Sequence, residues 1–165
     1  MARKVAVIMG SDSDLPAMEP CFRTLNRFAI PYEAHIISAH RTPAQAEAFA
    51  SAAEQNGFGV IIAAAGKAAH LAGVLAAYTT LPVIGVPMKT SMMGGLDSLL
   101  SMVQMPAGIP VACVAVDGGG NAGILAAQIL SLQDPSLSQK LKEHKADMEQ
   151  AVMEKDKKLQ EDQGK

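Results

Sequence analysis

A chain of 165 residues and 17.2 kDa is the size of one domain. Its 14 Lys plus Arg against 16 Asp plus Glu leave a formal charge of −2, which argues against the clustered positive surface that nucleic acid or an anionic membrane needs. Hydrophobic residues make up 49% and charged residues 18%, enough apolar material for a substantial core, while Cys21 and Cys113 are too few and too far apart for a disulfide framework or a cysteine zinc site. A reduced, cytoplasmic setting is expected.

No leader is evident: after Met1-Ala2-Arg3-Lys4 the apolar run Val5 to Met9 is too short for a secretion signal. That run ends at Gly10 and reads as a parallel strand covered on both faces. Ser13 or Asp14 is placed to cap a helix that tolerates Pro16 in its first turn and continues to about Arg27. Tyr32 to Ile37 is a second strand, and Pro43 to Asn56 a second helix stopped by Gly57. Val60 to Ala64 is the third strand, followed by a helix from about Ala68 to Tyr78. Val83 to Val86, a helix near Leu96 to Val103, Val111 to Val116 and a helix near Asn121 to Leu132 complete the alternation. The uncharged stretch Ala68 to Met88 is broken by Gly73, Pro82, Gly85 and Pro87, and Ser98 to Val116 by Pro106, Gly108 and Pro110, so neither reads as a membrane span and a soluble protein is expected.

Five strands with intervening helices predict an α/β fold, a three-layer doubly wound parallel sheet. Right-handed crossovers favour the flavodoxin-like order 2-1-3-4-5. Residues 138–165 hold seven Lys and seven Asp or Glu, almost half of the charge in the chain. A body so sparsely charged would expose apolar patches as a monomer, so a homo-oligomer is expected. In the tail, Leu137, Leu141, Met148, Val152 and Leu159 form a narrow apolar seam on a charged C-terminal helix. Residues 1–137 are thus expected as a single α/β catalytic domain. Residues 138–165 are expected as a helical tail lying on that body or reaching a neighbouring subunit.

Three polar segments follow the first three strands: Gly10-Ser11-Asp12-Ser13-Asp14, Ser38-Ala39-His40-Arg41-Thr42-Pro43 and Ala65-Gly66-Lys67-Ala68-Ala69-His70. In the order 2-1-3 these strands are neighbours, so the segments converge on one carboxyl edge, where open α/β sheets bind ligands. The first offers a Gly turn, two hydroxyls and helix-start amides suited to a phosphate or a sugar, with Asp14 better placed against ribose hydroxyls; alternatively Ser13 is only a cap. Arg41 supplies a forked cation matched to phosphate, and His40 can give and take a proton near neutral pH; alternatively both belong to a solvated loop before a helix that opens at Thr42-Pro43. The third segment places His70 one turn into a helix among small residues that let a ligand approach the backbone, as at Gly66. Lys67 either complements an anion or is merely exposed. No Gly-x-Ser-x-Gly elbow, Walker loop or metal-ligand pair at helical spacing is present, and Gly118-Gly119-Gly120 before Asn121 reads as a flexible helix entry, too weak a phosphate signal to stand alone.

Met9-Gly10-Ser11-Asp12-Ser13-Asp14, Ser38-Ala39-His40-Arg41-Thr42-Pro43, Ala68-Ala69-His70-Leu71 and Leu96-Asp97-Ser98-Leu99-Leu100-Ser101-Met102-Val103-Gln104-Met105-Pro106 occur in this order. Together they closely resemble the class I PurE family, the N5-carboxyaminoimidazole ribonucleotide mutases of purine biosynthesis. The resemblance implies conversion of N5-carboxyaminoimidazole ribonucleotide (N5-CAIR) to 4-carboxy-5-aminoimidazole ribonucleotide (CAIR) through a retained CO2, with no metal or cofactor. It also implies a homo-octamer whose active sites draw on more than one subunit. Carried onto this sequence, His40 is the catalytic acid/base and His70 a second active-site histidine. Ser11, Ser13, Ser38 and Arg41 line the phosphate, Asp14 holds the ribose, and Gly66 contacts the substrate.

Where the class I pattern reads Gly-Ala-Gly-Gly-Ala-Ala-His-Leu-Pro-Gly, this chain has Ala64-Ala65-Gly66-Lys67-Ala68-Ala69-His70-Leu71-Ala72-Gly73. Class II relatives, carboxylases of 5-aminoimidazole ribonucleotide (AIR) that use free CO2, carry an Arg at the place of Lys67. They also replace the His40-Arg41 pair by His-Lys and lack the histidine matching His70. The rival readings are accordingly a class II-like carboxylase and a catalytically silent nucleotide-binding module.

Overall fold

Side chains alternate across the first strand: Val5, Val7 and Met9 enter one apolar cluster and Ala6 and Ile8 another, all of them buried. A strand buried on both faces belongs in the middle of a parallel sheet. In the computed structural model, which describes residues 3–163, β1 (Lys4–Met9) lies between β2 (Tyr32–Ile36) and β3 (Phe58–Ala65). β4 (Val83–Pro87) and the two-residue β5 (Ala112–Cys113) complete an all-parallel sheet in the order 2-1-3-4-5.

Helices cover both faces. On one, α1 (Leu15–Arg27) and α5 (Gly119–Ser131) bury Met18, Cys21, Leu25, Ala122 and Ala126 against the odd-numbered side of β1. On the other, α2 (Pro43–Ala52), α3 (Leu71–Ala77) and α4 (Leu96–Val103) bury Ala46, Ala50, Leu71, Leu75 and Met102. Each large aliphatic side chain so buried contributes roughly 1.5–3 kcal/mol. α1 and α5 approach so closely that a Cβ on Gly123 would lie 2.9 Å from Cβ of Thr24, and one on Gly119 2.8 Å from the Ala17 carbonyl oxygen. Glycine is what permits that spacing.

The tail is α6 (Pro135–Gln163). Asp134 caps it, its Oδ1 accepting the amides of Ser136 at 2.9 Å and Leu137 at 3.1 Å. Its first half lies on its own body through buried Leu137, an edge-on contact of His144 with Phe28 and the Arg27–Asp147 ion pair. From Met148 onward every described residue of the helix is exposed. No helix among the described residues is long and apolar enough to cross a membrane.

Several boundaries depart from the sequence reading. The helix after β1 is preceded by a 3-10 turn, Asp12–Asp14, capped by Ser11 rather than by Ser13 or Asp14. Residues 53–57 leave α2 in turns that end on Gly57 at φ +82°. β5 pairs with β4 over two residues only; beyond them the Val114 and Asp117 amides still bond the Gly85 and Pro87 carbonyls of β4 without a continuous ladder. His70 is not one turn into a helix but the residue that precedes α3. Lys67 at φ +58° cannot belong to a right-handed helix, and Ala69 and His70 donate across tight turns to the carbonyls of Lys67 and Ala68, each at 2.8 Å.

Candidate active site

The three polar segments meet at the carboxyl edge of β2, β1 and β3. After β1, Gly10 extends the ladder to the Ala64 carbonyl, and the chain then folds into a capping box. Ser11 Oγ accepts the Ser13 amide at 3.3 Å and Asp14 Oδ2 accepts the Ser11 amide at 3.2 Å. The hydroxyls of Ser11 and Ser13 lie 2.9 Å apart. Burial pushes the Asp14 carboxyl above its ordinary value, an effect that the hydrogen bonds from Ser11 and Ser13 oppose.

After β2, Thr42 closes the loop by donating its amide to the Ser38 carbonyl at 2.8 Å, and Pro43 opens α2. The reading of this segment as a helix entrance is therefore correct, and it also aims Arg41. Its amide and Nε donate to Ser38 Oγ at 3.2 and 3.4 Å, and its Nη2 reaches across to the Gly10 carbonyl at 2.9 Å. One guanidinium thus ties the β2 loop to the β1 loop. It leaves further donors of its fixed fork for an anion.

After β3, His70 comes back to the site. His40 Nε2 and His70 Nδ1 lie 2.9 Å apart with the rings edge-on, their centroids separated by 5.0 Å. A single proton between two ring nitrogens makes one imidazole the donor and the other the acceptor. Gly66 and Lys67 form the floor between the sheet and this pair, and the Lys67 backbone is pinned by α4. Buried Ser98 Oγ accepts the Lys67 amide at 2.9 Å and donates to the Met88 carbonyl at 2.8 Å, while Ser101 Oγ, which donates to the Asp97 carbonyl at 2.7 Å, also lies 3.3 Å from the Lys67 carbonyl.

His40, Ser11, Ser13, Asp14, Ser38, Arg41, Gly66 and His70 all line one cavity of about 570 Å³. The structure adds a fourth wall that the sequence reading did not single out: Met88, Lys89, Thr90 and Ser91 after β4. Their signal was the same strand-end rule applied one strand further. In the sequence nothing but the place of Ser98 on the inner face of an apolar helix marks it as a support. His35 and His144, given no role on sequence grounds, lie outside this cavity. Among the described residues, no group of three His, Cys, Asp or Glu is placed to hold a metal ion. Another cavity of about 610 Å³ opens at the opposite edge of the sheet. It contains no histidine, and Nη1 of its Arg3 is donated to the Phe58 carbonyl.

The arrangement joins hydroxyls and a guanidinium on one side to a hydrogen-bonded imidazole pair on the other. It suits a phosphorylated molecule that undergoes proton transfer. Comparison with known proteins agrees. A family model described as AIR carboxylase matches residues 4–151. The N5-carboxyaminoimidazole ribonucleotide mutase of Pyrococcus horikoshii is 55% identical over 157 residues, covering 95% of this chain and 89% of the relative. That of Thermotoga maritima is 54% identical over 157 residues, covering 95% and 92%. A crystal structure of Treponema denticola PurE superposes with a TM-score of 0.85 at 30% identity, covering 95% of this chain and 98% of that one.

Proposed function

The chain belongs to the AIR carboxylase family, and from that premise we propose that it is an N5-CAIR mutase, an isomerase of purine biosynthesis that moves a carboxyl group within one ribonucleotide. The observation that carries the reading is the His40–His70 pair in the same cavity as the Ser11–Ser38–Arg41 cluster. Arg41 and the hydroxyls of Ser11, Ser13 and Ser38 hold the phosphate, Asp14 the ribose, and Gly66 lets the ring lie against the backbone.

Breaking the carbamate C–N5 bond returns its electron pair to N5, which needs a proton, and frees CO2. Carbon C4 of the electron-rich ring then attacks the CO2 carbon, and the hydrogen on C4 leaves as a proton. One proton enters at N5 and one departs from C4, so a single acid/base residue completes the cycle. His40 is that residue: protonated it serves N5, and neutral it serves C4. His40 Nε2 is engaged by His70 Nδ1 at 2.9 Å whichever ring supplies the proton, which leaves Nδ1 of His40 as the nitrogen for the working proton. His70 is thus a positioning residue for His40. The cavity walls keep CO2 beside C4, and that proximity replaces a search for it in solution.

The active form is a homo-octamer, in which copies cover one another's apolar faces and complete the site. The sparse charge of the body and the exposed Leu96, Leu100 and Val103 of α4 support this reading. The exposed distal half of α6 reaches a neighbouring copy, and the enzyme works in the cytoplasm. The test is N5-CAIR turnover in bicarbonate-depleted buffer. Wild type is expected to convert N5-CAIR without added CO2, and His40→Asn to bind it normally while kcat falls about 10²- to 10⁴-fold. Unchanged turnover in His40→Asn removes the assignment of His40. Activity that appears only with AIR and added bicarbonate makes the chain a carboxylase instead.

A further inference from the structure

We infer that the Lys67 ammonium binds the migrating carboxylate, and so sets the preference of the site for carboxylated over decarboxylated ribonucleotide; this rests on the mutase reading above. The ligand of that reading is anionic at two ends, a phosphate and a carboxylate that begins on the exocyclic N5 and finishes on ring carbon C4. Arg41, Lys67 and Lys89 are the lysine and arginine residues that line the cavity.

Arg41 belongs to the phosphate end. It is bonded to Ser38 and Gly10 and stands among the hydroxyls of the β1 and β2 loops. The ring must instead lie beside the His40–His70 pair, since His40 serves both N5 and C4. His70 and Lys67 stand on the same β3 loop and both line the cavity, so we place the carboxylate within reach of the Lys67 side chain.

The backbone of Lys67 has little freedom, with its amide on Ser98, its carbonyl accepting the Ala69 amide, and φ at +58°. A lysine has no short polar group to ease the left-handed conformation as Asn or Asp does, and glycine would adopt it without strain. Its ammonium, in contrast, makes no ion pair or hydrogen bond with another described residue. A point charge on a four-carbon stem can follow a carboxylate from the exocyclic N5 to ring carbon C4, which a fixed guanidinium fork does less well. Because it holds the carboxylate of substrate and product alike and lets neutral CO2 go between them, its effect is on binding more than on kcat.

The experiment is calorimetric binding of CAIR and AIR to wild type and to Lys67→Gly, a variant whose backbone suits φ +58° and should fold. Lys67→Gly is expected to weaken CAIR about tenfold and AIR less than about twofold, with KM for CAIR rising and kcat within about threefold. Lys67→Arg should restore most of the preference, and raising salt should erode the preference in wild type but not in Lys67→Gly. Equal effects on the two ribonucleotides, or none, overturn the inference. So does a selective loss of CAIR in Lys89→Met in place of Lys67→Gly, which would put the carboxylate at the β4 loop. A wild type that binds neither ribonucleotide overturns the mutase reading itself, a different result from the others.

Discussion

Asp14 is held in the cavity at some cost to stability. Its Oδ2 accepts the Ser11 amide and so holds the first loop, yet burial keeps its carboxyl above the ordinary value. A carboxyl with a raised folded pKa favours the native state below its unfolded value of 3.8, and that contribution is lost as pH climbs through the folded value. At neutral pH the ionised group is therefore a standing penalty. Asp14→Asn keeps an oxygen for the Ser11 amide and removes the charge, so thermal unfolding at pH 7 should show equal or slightly higher stability. Because the group is only half-buried, screening holds the gain to well under about 1 kcal/mol. The same variant should bind ribonucleotide more weakly, since an amide is a poorer acceptor for ribose hydroxyls than a carboxylate. A marked loss of stability at pH 7 would assign Asp14 a structural role instead. His40 and Arg41 were legible in the sequence because few side chains can do what an imidazole or a guanidinium does. The capping role of Ser11 was not, because Ser11, Ser13 and Asp14 are all cap formers and only geometry chooses among them.

At the scale of elements, the alternation of buried runs and helices could be read directly, since strands covered on both faces must be continuously apolar, as Val5–Met9 and Val60–Ala64 are. Those runs and the handedness of crossovers favour the order 2-1-3-4-5, which the sheet adopts, and in that order the three loops meet. Positions settled by contacts between elements were beyond such reading. The start of α3 depends on the left-handed turn at Lys67, which α4 imposes through Ser98. Ser98→Ala tests that link. It leaves the Lys67 amide and the Met88 carbonyl without the hydroxyl that joins them in a fully buried place. Denaturant unfolding should show a loss of about 1–3 kcal/mol. N5-CAIR turnover should fall as well, because the β3 loop carries His70 on the same short segment. If stability falls as expected but turnover is unchanged, α4 supports the fold without positioning the site.

For the whole molecule, the unsolved question in one copy is what covers its apolar exterior. Leu96, Leu100 and Val103 are each 47% exposed along one side of α4, and Met92 beside them is 88% exposed. On the far side, α6 carries Met148, Val152 and Leu159 beyond the point where Arg27–Asp147 last ties it to the body. Spacings of four and three along α4 put its three side chains on one helical stripe, too continuous for scattered surface residues and the pattern of a packed helix pair. The α4 stripe also sits directly behind Ser98, which holds the Lys67 amide of the β3 loop. Association through α4 would therefore steady the same loop that holds His70, and assembly and activity should be lost together. Light scattering after gel filtration should give wild type a mass several times 17.2 kDa. Leu100→Glu places a charge in the stripe without touching the cavity, and should yield smaller species and turnover lower by at least about tenfold, since desolvating an unpaired charge at each contact outweighs what one leucine supplied. The loss should be partly reversed at high protein concentration, where mass action favours assembly. A fully active wild-type monomer would refute the oligomeric reading. Leu100→Glu that remained assembled would move the interface elsewhere, with the distal α6 seam the next surface to charge.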